Sequence, residues 1–389
     1  MLNSFGFSLP TRIAFGDGIL EQTANLIQET CSGKRVFVVT DAGIMRADIA
    51  QPVITSLEQN GYVVEVFDRV APNPKDVDCE AGGEQIRSFQ ADIVLAIGGG
   101  SVIDSAKAIA LLHTHEGRLK QYEGRNKVLH DVTPLIAVPT TAGTGAEVTR
   151  SSVITDTERS FKMTVKDIRL APRLAIVDPL TTVKLPQAIT ASTGMDAFVH
   201  AIEAYTCKLA NPISDALALS AMQRIWTHLP IVVKEGDNLV ARREMMIGSV
   251  MAGIAFSHAD VASVHCMAEA LGGLYDTPHG IANSIFLPVV TSFNAEADIG
   301  KHANVARICG VAKATHYDKE ATRMLVHALH EMAEEIGIPQ FSSLDYVKLE
   351  DFAALAEASF INGSTPSNCR EITAEDYLRL FEEAYAGVK

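Results

Sequence analysis

The sequence predicts an α/β N-terminal domain built on a parallel, Rossmann-like sheet, followed by an all-α C-terminal domain. Three observations carry this. Short β-branched runs alternate with helical patterns through the first half, the apolar spacing turns helical after about Leu185, and no repeat or low-complexity linker interrupts the change. Alternation of strand and helix points to parallel pairing, because a parallel pair needs a crossover long enough to hold a helix.

Five strands are expected in order, at residues 35–40 (RVFVVT), 63–67 (VVEVF), 93–97 (IVLAI), 135–139 (LIAVP) and 174–178 (LAIVD). Each is apolar on both faces, as a strand covered on each side by helices should be. Helices are expected at 188–205, 215–228, 239–255 and 261–271, with Pro186 near the change of texture and Ser192 or Thr193 as a helix cap. These patterns place the domains at 1–185 and 186–389.

Composition narrows the function classes. With 389 residues, 47% hydrophobic, the chain can bury a large core in about two or three units. Its 47 acidic against 33 basic residues give a net charge of −14, a field that repels phosphate backbones, so no nucleic-acid partner is expected. The longest apolar runs, at 93–97 and 284–290, fall short of the roughly 18 to 20 residues that span a bilayer, so no membrane partner is expected either. The N-terminus shows no export pattern. Six cysteines are scattered without a C-x-x-C pair, which argues against a disulfide framework and for a reducing cytoplasm.

The strand at 93–97 runs straight into Gly98, Gly99, Gly100 and Ser101, followed by Asp104, Lys107 and a helical run. Consecutive glycines let backbone N–H groups approach a pyrophosphate, and the positive end of the next helix favours its charge. The string GGGSVIDSAK is neither G-x-G-x-x-G nor the G-x-x-x-x-G-K-[ST] loop, so by itself it also reads as a tight strand-to-helix turn. A second loop, PTTAGTG at 139–145, follows another expected strand and adds three hydroxyls and two glycines. Its alternative is a Thr/Gly turn capping a helix.

Asp196 and His200 lie four residues apart in an expected helix, which stacks them on one face. His265 and His279 complete a candidate set of one carboxylate and three imidazoles, suited to Fe(II), Zn(II) or a similar divalent ion. A pair at this spacing often decorates a solvated face, but Gly194, Met195, Ala201 and Ile202 are small or apolar, and unpaired ionisable groups among them would be costly. In VHCMAEALGGLYDTPHG at 264–280, a Gly-Gly break and Pro278 are expected to return His279 to the neighbourhood of His265.

The ordered strings PNP (72–74), GGGSVIDSAK (98–107), PTTAGTGAEVT (139–149), DPLTTVKLP (178–186), TASTGMDAFVHAIEAY (190–205) and the 265–280 segment resemble the iron-containing (group III) alcohol dehydrogenase family over nearly the whole chain. The resemblance implies that Asp196, His200, His265 and His279 bind a divalent metal, with Fe(II) favoured and Zn(II) open. It implies that Gly98, Gly99, Gly100, Ser101, Val102 and Asp104 form the pyrophosphate site of a nicotinamide dinucleotide, with Thr140, Thr141 and Thr144 as further contacts. Asn73 and Lys162 match the same cleft, although a turn residue and a solvated cation are their alternatives. Asp41, closing the strand at 35–40, resembles the family's acidic residue beside the adenine ribose, which favours NAD over NADP. It also reads as the cap of the following turn.

The chain departs from many relatives at Glu269, where they carry a histidine four residues after the third ligand. If the helix is continuous, a carboxylate one turn from His265 makes Glu269 the candidate catalytic proton carrier, while an anchor for a ligand histidine and a solvated helix residue stay open. His258 and Phe256 match a stretch bordering the substrate pocket, and Asn368-Cys369-Arg370 replaces a common Asn-Pro-Arg. The implied function is metal-dependent, NAD-linked hydride transfer between a small alcohol or aldehyde and nicotinamide. The implied assembly is a homodimer or larger homo-oligomer, with an N-terminal strand at 8–15 as a contact. The first domain is then dinucleotide-binding and the second metal- and substrate-binding. Two other readings remain: a dehydroquinate synthase-like lyase using NAD and a metal, and a non-catalytic NAD- and metal-binding scaffold.

Overall fold

The computed structural model of the chain describes residues 4–387. The chain forms two compact units, one spanning Ser8–Lys184 and the other comprising the residues from Leu185 onward together with those up to Phe7. Residues 4–7 therefore go with the helical unit, where the Phe7 ring stacks on His258 at 3.9 Å between centroids.

In the α/β unit the strands are β1 (Arg12–Phe15), β2 (Arg35–Val39), β3 (Val63–Phe67), β4 (Ile93–Gly98), β5 (Gly124–Arg125), β6 (Leu135–Pro139), β7 (Ser151–Asp156), β8 (Phe161–Lys166) and β9 (Leu174–Val177). The helices are α1 (Thr23–Thr30), α2 (Ala42–Arg46), α3 (Ala50–Gln59), α4 (Asp76–Phe89) and α5 (Gly100–Thr114). The main sheet has six parallel strands in the order β1-β9-β6-β4-β2-β3. Its direction of growth reverses between β2 and β4, so their C-terminal ends open a crevice of the kind where α/β sheets bind ligands.

Side-chain alternation explains why the strands read as continuous apolar runs. Val36, Val38, Leu95 and Ile97 pack on one face against α1 and α3, while Phe37, Val39, Val94 and Ala96 pack on the other against α4 and α5. Burying each such side chain stabilises the fold by about 1.5–3 kcal/mol relative to exposure. All five expected strands form. The segment expected as an assembly strand contributes β1, which pairs with β9 at the sheet edge, in register from Arg12 opposite Leu174 to Phe15 opposite Val177. A second, three-stranded sheet in the order β5-β8-β7 was not expected, and it contains the antiparallel hairpin β7–β8.

The helical unit runs through α6 (Gln187–Thr206), α7 (Pro212–Lys234), α8 (Leu239–His258), α9 (Ser263–Tyr275), α10 (His279–Ala295), α11 (Ile299–Ile308), α12 (Asp318–Glu335), α13 (Phe352–Phe360) and α14 (Ala374–Ala386). Helix α6 packs against α7, α8 and α10, and is buried on nearly every side. Two local expectations are corrected. Pro186 is the N-cap of α6, so Ser192 and Thr193 lie inside the helix and donate to the Ile189 carbonyl instead of capping it. Gly272 and Gly273 do not break the chain, because α9 continues to Tyr275 and ends where Asp276 adopts φ 58°, a left-handed C-cap. Among the described residues, no single helix is long and apolar enough to cross a membrane.

Candidate functional site

Helix α6 places Asp196 and His200 one turn apart, while His265 enters from the first turn of α9 and His279 opens α10. Asp196 and His265 are each only 2% exposed. His265 Nε2 lies 3.9 Å and His279 Nε2 3.7 Å from Asp196 Oδ1, and one ligand atom from each of the three residues falls within 4.8 Å of the others. His200 stands beside this compact set without joining it. Its Nδ1 is 3.8 Å from Asp196 Oδ2, and its ring stacks on Phe256 and lies 4.4 Å from that of His265.

The electrostatics follow from burial and crowding. Burial would raise the Asp196 carboxyl pKa, but the charges of His200, His279 and His265 and a hydrogen bond from Asn283 bring it below its ordinary value. Burial pushes His200 down to about 4. Burial acts the same way on His265, yet the hydrogen bond and charge of Glu203, with Asp196 and Glu269 behind it, outweigh burial and raise its pKa. His265 Nε2 is buried with no hydrogen-bond partner among the described residues. A carboxylate with converging imidazoles and an unsatisfied buried ring nitrogen fits a borderline divalent cation.

Two supporting residues escaped the reading of the sequence. Glu203 accepts from His265 Nδ1 at 2.6 Å, and Asn283 Nδ2 donates to Asp196 Oδ1 at 2.6 Å while lying 3.1 Å from His279 Nε2. The signal was spacing: Glu203 falls seven residues after Asp196 on one helix, and Asn283 four after His279 on another. Helix α9 is continuous, so Glu269 lies one turn beyond His265, where its Oε2 accepts from Asn362 Nδ2 at 2.6 Å. His258 turns its ring onto Phe7 and its Nδ1 toward the Ile254 carbonyl, 2.8 Å away. Asn368 forms a reciprocal amide pair with Asn294, and Arg370 donates to the Phe293 carbonyl, so hydrogen bonds hold the segment around Cys369.

In the α/β unit, Gly98 is paired in register with Pro139, so the glycine turn and the threonine loop leave the C-terminal ends of adjacent strands. Their contact requires glycine. A Cβ at Gly100 would sit 2.5 Å from Thr144 Cγ2, and one at Gly99 would sit 3.2 Å from Thr141 Cγ2. Thr140 Oγ1 is buried without a hydrogen-bond partner among the described residues. Helix α5 starts at Gly100, with Gly99 as its N-cap, so Gly100 and Ser101 stand at its positive end.

Other residues expected at the cofactor have structural partners. Val102 is a core side chain whose N–H donates to the Gly99 carbonyl. Asp104 accepts from Lys107 Nζ at 3.2 Å and from Val153 N at 3.1 Å, tying α5 to β7. Asp41 Oδ1 accepts from Gly43 and Ile44, which makes it the N-cap of α2. Asn73, at φ 50°, accepts from the largely buried Lys162 Nζ at 3.0 Å, so Lys162 is not a solvated cation.

Comparison with known proteins adds to this geometry. A family profile described as "Iron-containing alcohol dehydrogenase" matches residues 10–179, and one described as "Fe-containing alcohol dehydrogenase family, C-terminal" matches residues 190–385. The chain is 38% identical to a 1,3-propanediol dehydrogenase of Citrobacter freundii, covering 98% of this chain and 99% of that protein. It is 36% identical to an NAD-dependent methanol dehydrogenase of Bacillus methanolicus, covering 97% and 99% respectively. A crystal structure of a 1,3-propanediol oxidoreductase superposes with a TM-score of 0.95 at 38% identity, covering 98% of this chain and 100% of that one.

Proposed function

The chain belongs to the iron-containing alcohol dehydrogenase family and is an NAD-linked oxidoreductase of small alcohols or aldehydes; from that premise we propose how its own residues divide the work. Asp196, His265 and His279 hold a divalent metal, iron by family, with His200 as the fourth donor after a small ring adjustment. The observation that carries this is the convergence of those three side chains, Asp196 and His265 buried and His279 half-buried, beside the unsatisfied His265 Nε2. When bound, the metal supplies Lewis-acid polarisation of the substrate oxygen, and nicotinamide supplies the hydride acceptor or donor.

The glycine turn at Gly98–Gly100, with Ser101, presents backbone N–H groups to the dinucleotide pyrophosphate. Thr140, Thr141 and Thr144 flank it, and Asn73 with Lys162 adds polar contacts. Val102 and Asp104 support that turn from behind. Asp41 uses one oxygen as a helix cap and offers the other to an adenine ribose, which favours NAD. Glu269 carries the proton between the substrate oxygen and solvent, with its carboxylate oriented by Asn362. The substrate is a small alcohol or its aldehyde, in keeping with the propanediol and methanol named for the relatives.

The edge position of β1 supports a homodimer or larger assembly through that strand, because an edge strand can accept another. Six free cysteines support a reducing, cytoplasmic setting. The test is an NADH-absorbance assay over a panel of short alcohols and aldehydes, before and after exhaustive chelation and after addition of Fe(II) or Zn(II). Turnover lost on chelation and regained with metal is expected; turnover indifferent to chelation overturns the assignment.

A further inference from the structure

Helix α9 begins with an unusual problem. Its N-cap is Ala262, whose side chain accepts no hydrogen bond, although the first turn of a helix leaves its N–H groups without intrahelical acceptors. The missing acceptor arrives from another helix. Glu203 of α6 accepts from Ala262 N at 2.8 Å through Oε2 and from Val264 N at 2.7 Å through Oε1. The same Oε2 also meets His265 Nδ1 at 2.6 Å. Glu203 is only 3% exposed, and three donors at these distances hold its carboxylate rigidly.

We infer that Glu203 is the positioning residue of the metal site: it caps α9 and fixes His265 as the Nδ1–H tautomer, turning the Nε2 lone pair toward Asp196 and His279. A carboxylate only accepts hydrogen bonds, so the proton between Glu203 and His265 sits on Nδ1. Nε2 is then the unprotonated nitrogen, which agrees with its being buried without a hydrogen-bond partner. A carboxylate behind a ligand imidazole fixes ring orientation and raises ligand basicity. Because Glu203 and Asp196 lie on the same face of α6, seven residues apart, this contact also fixes the spacing between two ligands from different helices.

The inference rests on the proposed metal site and is separable from it. In Glu203→Gln one acceptor oxygen must replace two that serve three donors, and an amide N–H facing His265 would favour the wrong tautomer. Tyr377→Phe is the control, because it removes the hydrogen bond between Tyr377 and Ser263 at the same helix start without touching His265. Zn(II) affinity is measured by chelator competition for the natural protein, E203Q, Y377F and H265A, with melting temperatures alongside. Imidazole ¹⁵N spectra of the natural protein, assigned through H265A, report the His265 tautomer.

The expected result is a His265 protonated at Nδ1, with E203Q weakening zinc by about 10- to 100-fold and Y377F leaving it near the natural value. Protonation of His265 at Nε2 overturns the inference, as does natural affinity in E203Q or an equal loss in Y377F. If E203Q fails to fold, the natural protein's spectrum decides. Absence of zinc uptake by the natural protein, or full affinity in H265A, overturns the metal site and this inference with it.

Discussion

Asp196 is a buried carboxylate that lies beside all three imidazoles, His200, His265 and His279. Their charges and Asn283 keep its pKa low despite burial, which maintains an anionic donor for a cation. Replacing Asp196 with Asn removes that charge with little change in volume. Bound metal and kcat/KM should then fall by more than the roughly 10- to 100-fold that loss of a supporting residue costs, as read by metal analysis and NADH absorbance. Glu269→Gln tests a different link, since it spares the ligands. Loss of a positioned proton carrier should lower kcat by about 100-fold with metal content unchanged, and an unchanged kcat would make Glu269 a structural partner of Asn362. Asp196 and His200 stood out as ligand candidates because ionisable groups at helical spacing in apolar surroundings are costly unless used, and His265 and His279 joined them through the family resemblance. Glu203 and Asn283 did not, because their spacing on α6 and α10 gains meaning only once Ala262, Val264 and His265 meet Glu203, and Asp196 meets Asn283, across the fold.

At the scale of elements, the glycine turn and the threonine loop approach closely because Gly99 and Gly100 leave room for the Thr141 and Thr144 side chains. In Gly100→Ala the new methyl meets Thr144 at 2.5 Å, and such overpacking costs about 1–3 kcal/mol. The melting temperature should fall and KM for NAD should rise with little effect on metal content; an unchanged KM would detach this turn from the cofactor. Behind the turn lies Glu147, whose pKa burial raises to about 7, opposed by its backbone hydrogen bond and the charge of Lys107. The folded state therefore keeps a proton that the unfolded chain loses above about pH 4.5, so stability falls as pH rises from there toward about 7. Urea melts over roughly pH 5 to 8 should show Glu147→Gln flattening that fall, worth about 3 kcal/mol at full extent. The parallel strands were legible because both faces are apolar. The β7–β8 hairpin was hidden because its buried positions include the polar residues Ser152, Asp156 and Lys162. Ser152 bonds the Asp104 carbonyl and Lys162 bonds Asn73, so these positions are buried without being apolar, and in β7 burial alternates while hydropathy does not.

For the molecule as a whole, the two candidate sites belong to different compact units. Every dinucleotide candidate from Asp41 to Lys162 lies within Ser8–Lys184, and Asp196, His200, His265 and His279 lie beyond Leu185. The change from strand–helix alternation to helical spacing made that division legible. The return of residues 4–7 to the helical unit was not, because it rests on single long-range contacts such as Phe7 on His258. Each candidate site is built from its own unit's residues, the N-terminus of α5 in one and side chains of α6, α9 and α10 in the other. Occupancy of one therefore does not depend on the other for its donors. Exhaustively chelated protein should still bind NAD, measured by calorimetry, and saturation to about 100 times the dissociation constant should stabilise it by about 2.7 kcal/mol. H265A should show the same NAD response without catalysis. Loss of NAD binding on chelation would mean that the cation helps to build the dinucleotide site, and the division of labour between the two units would then be wrong.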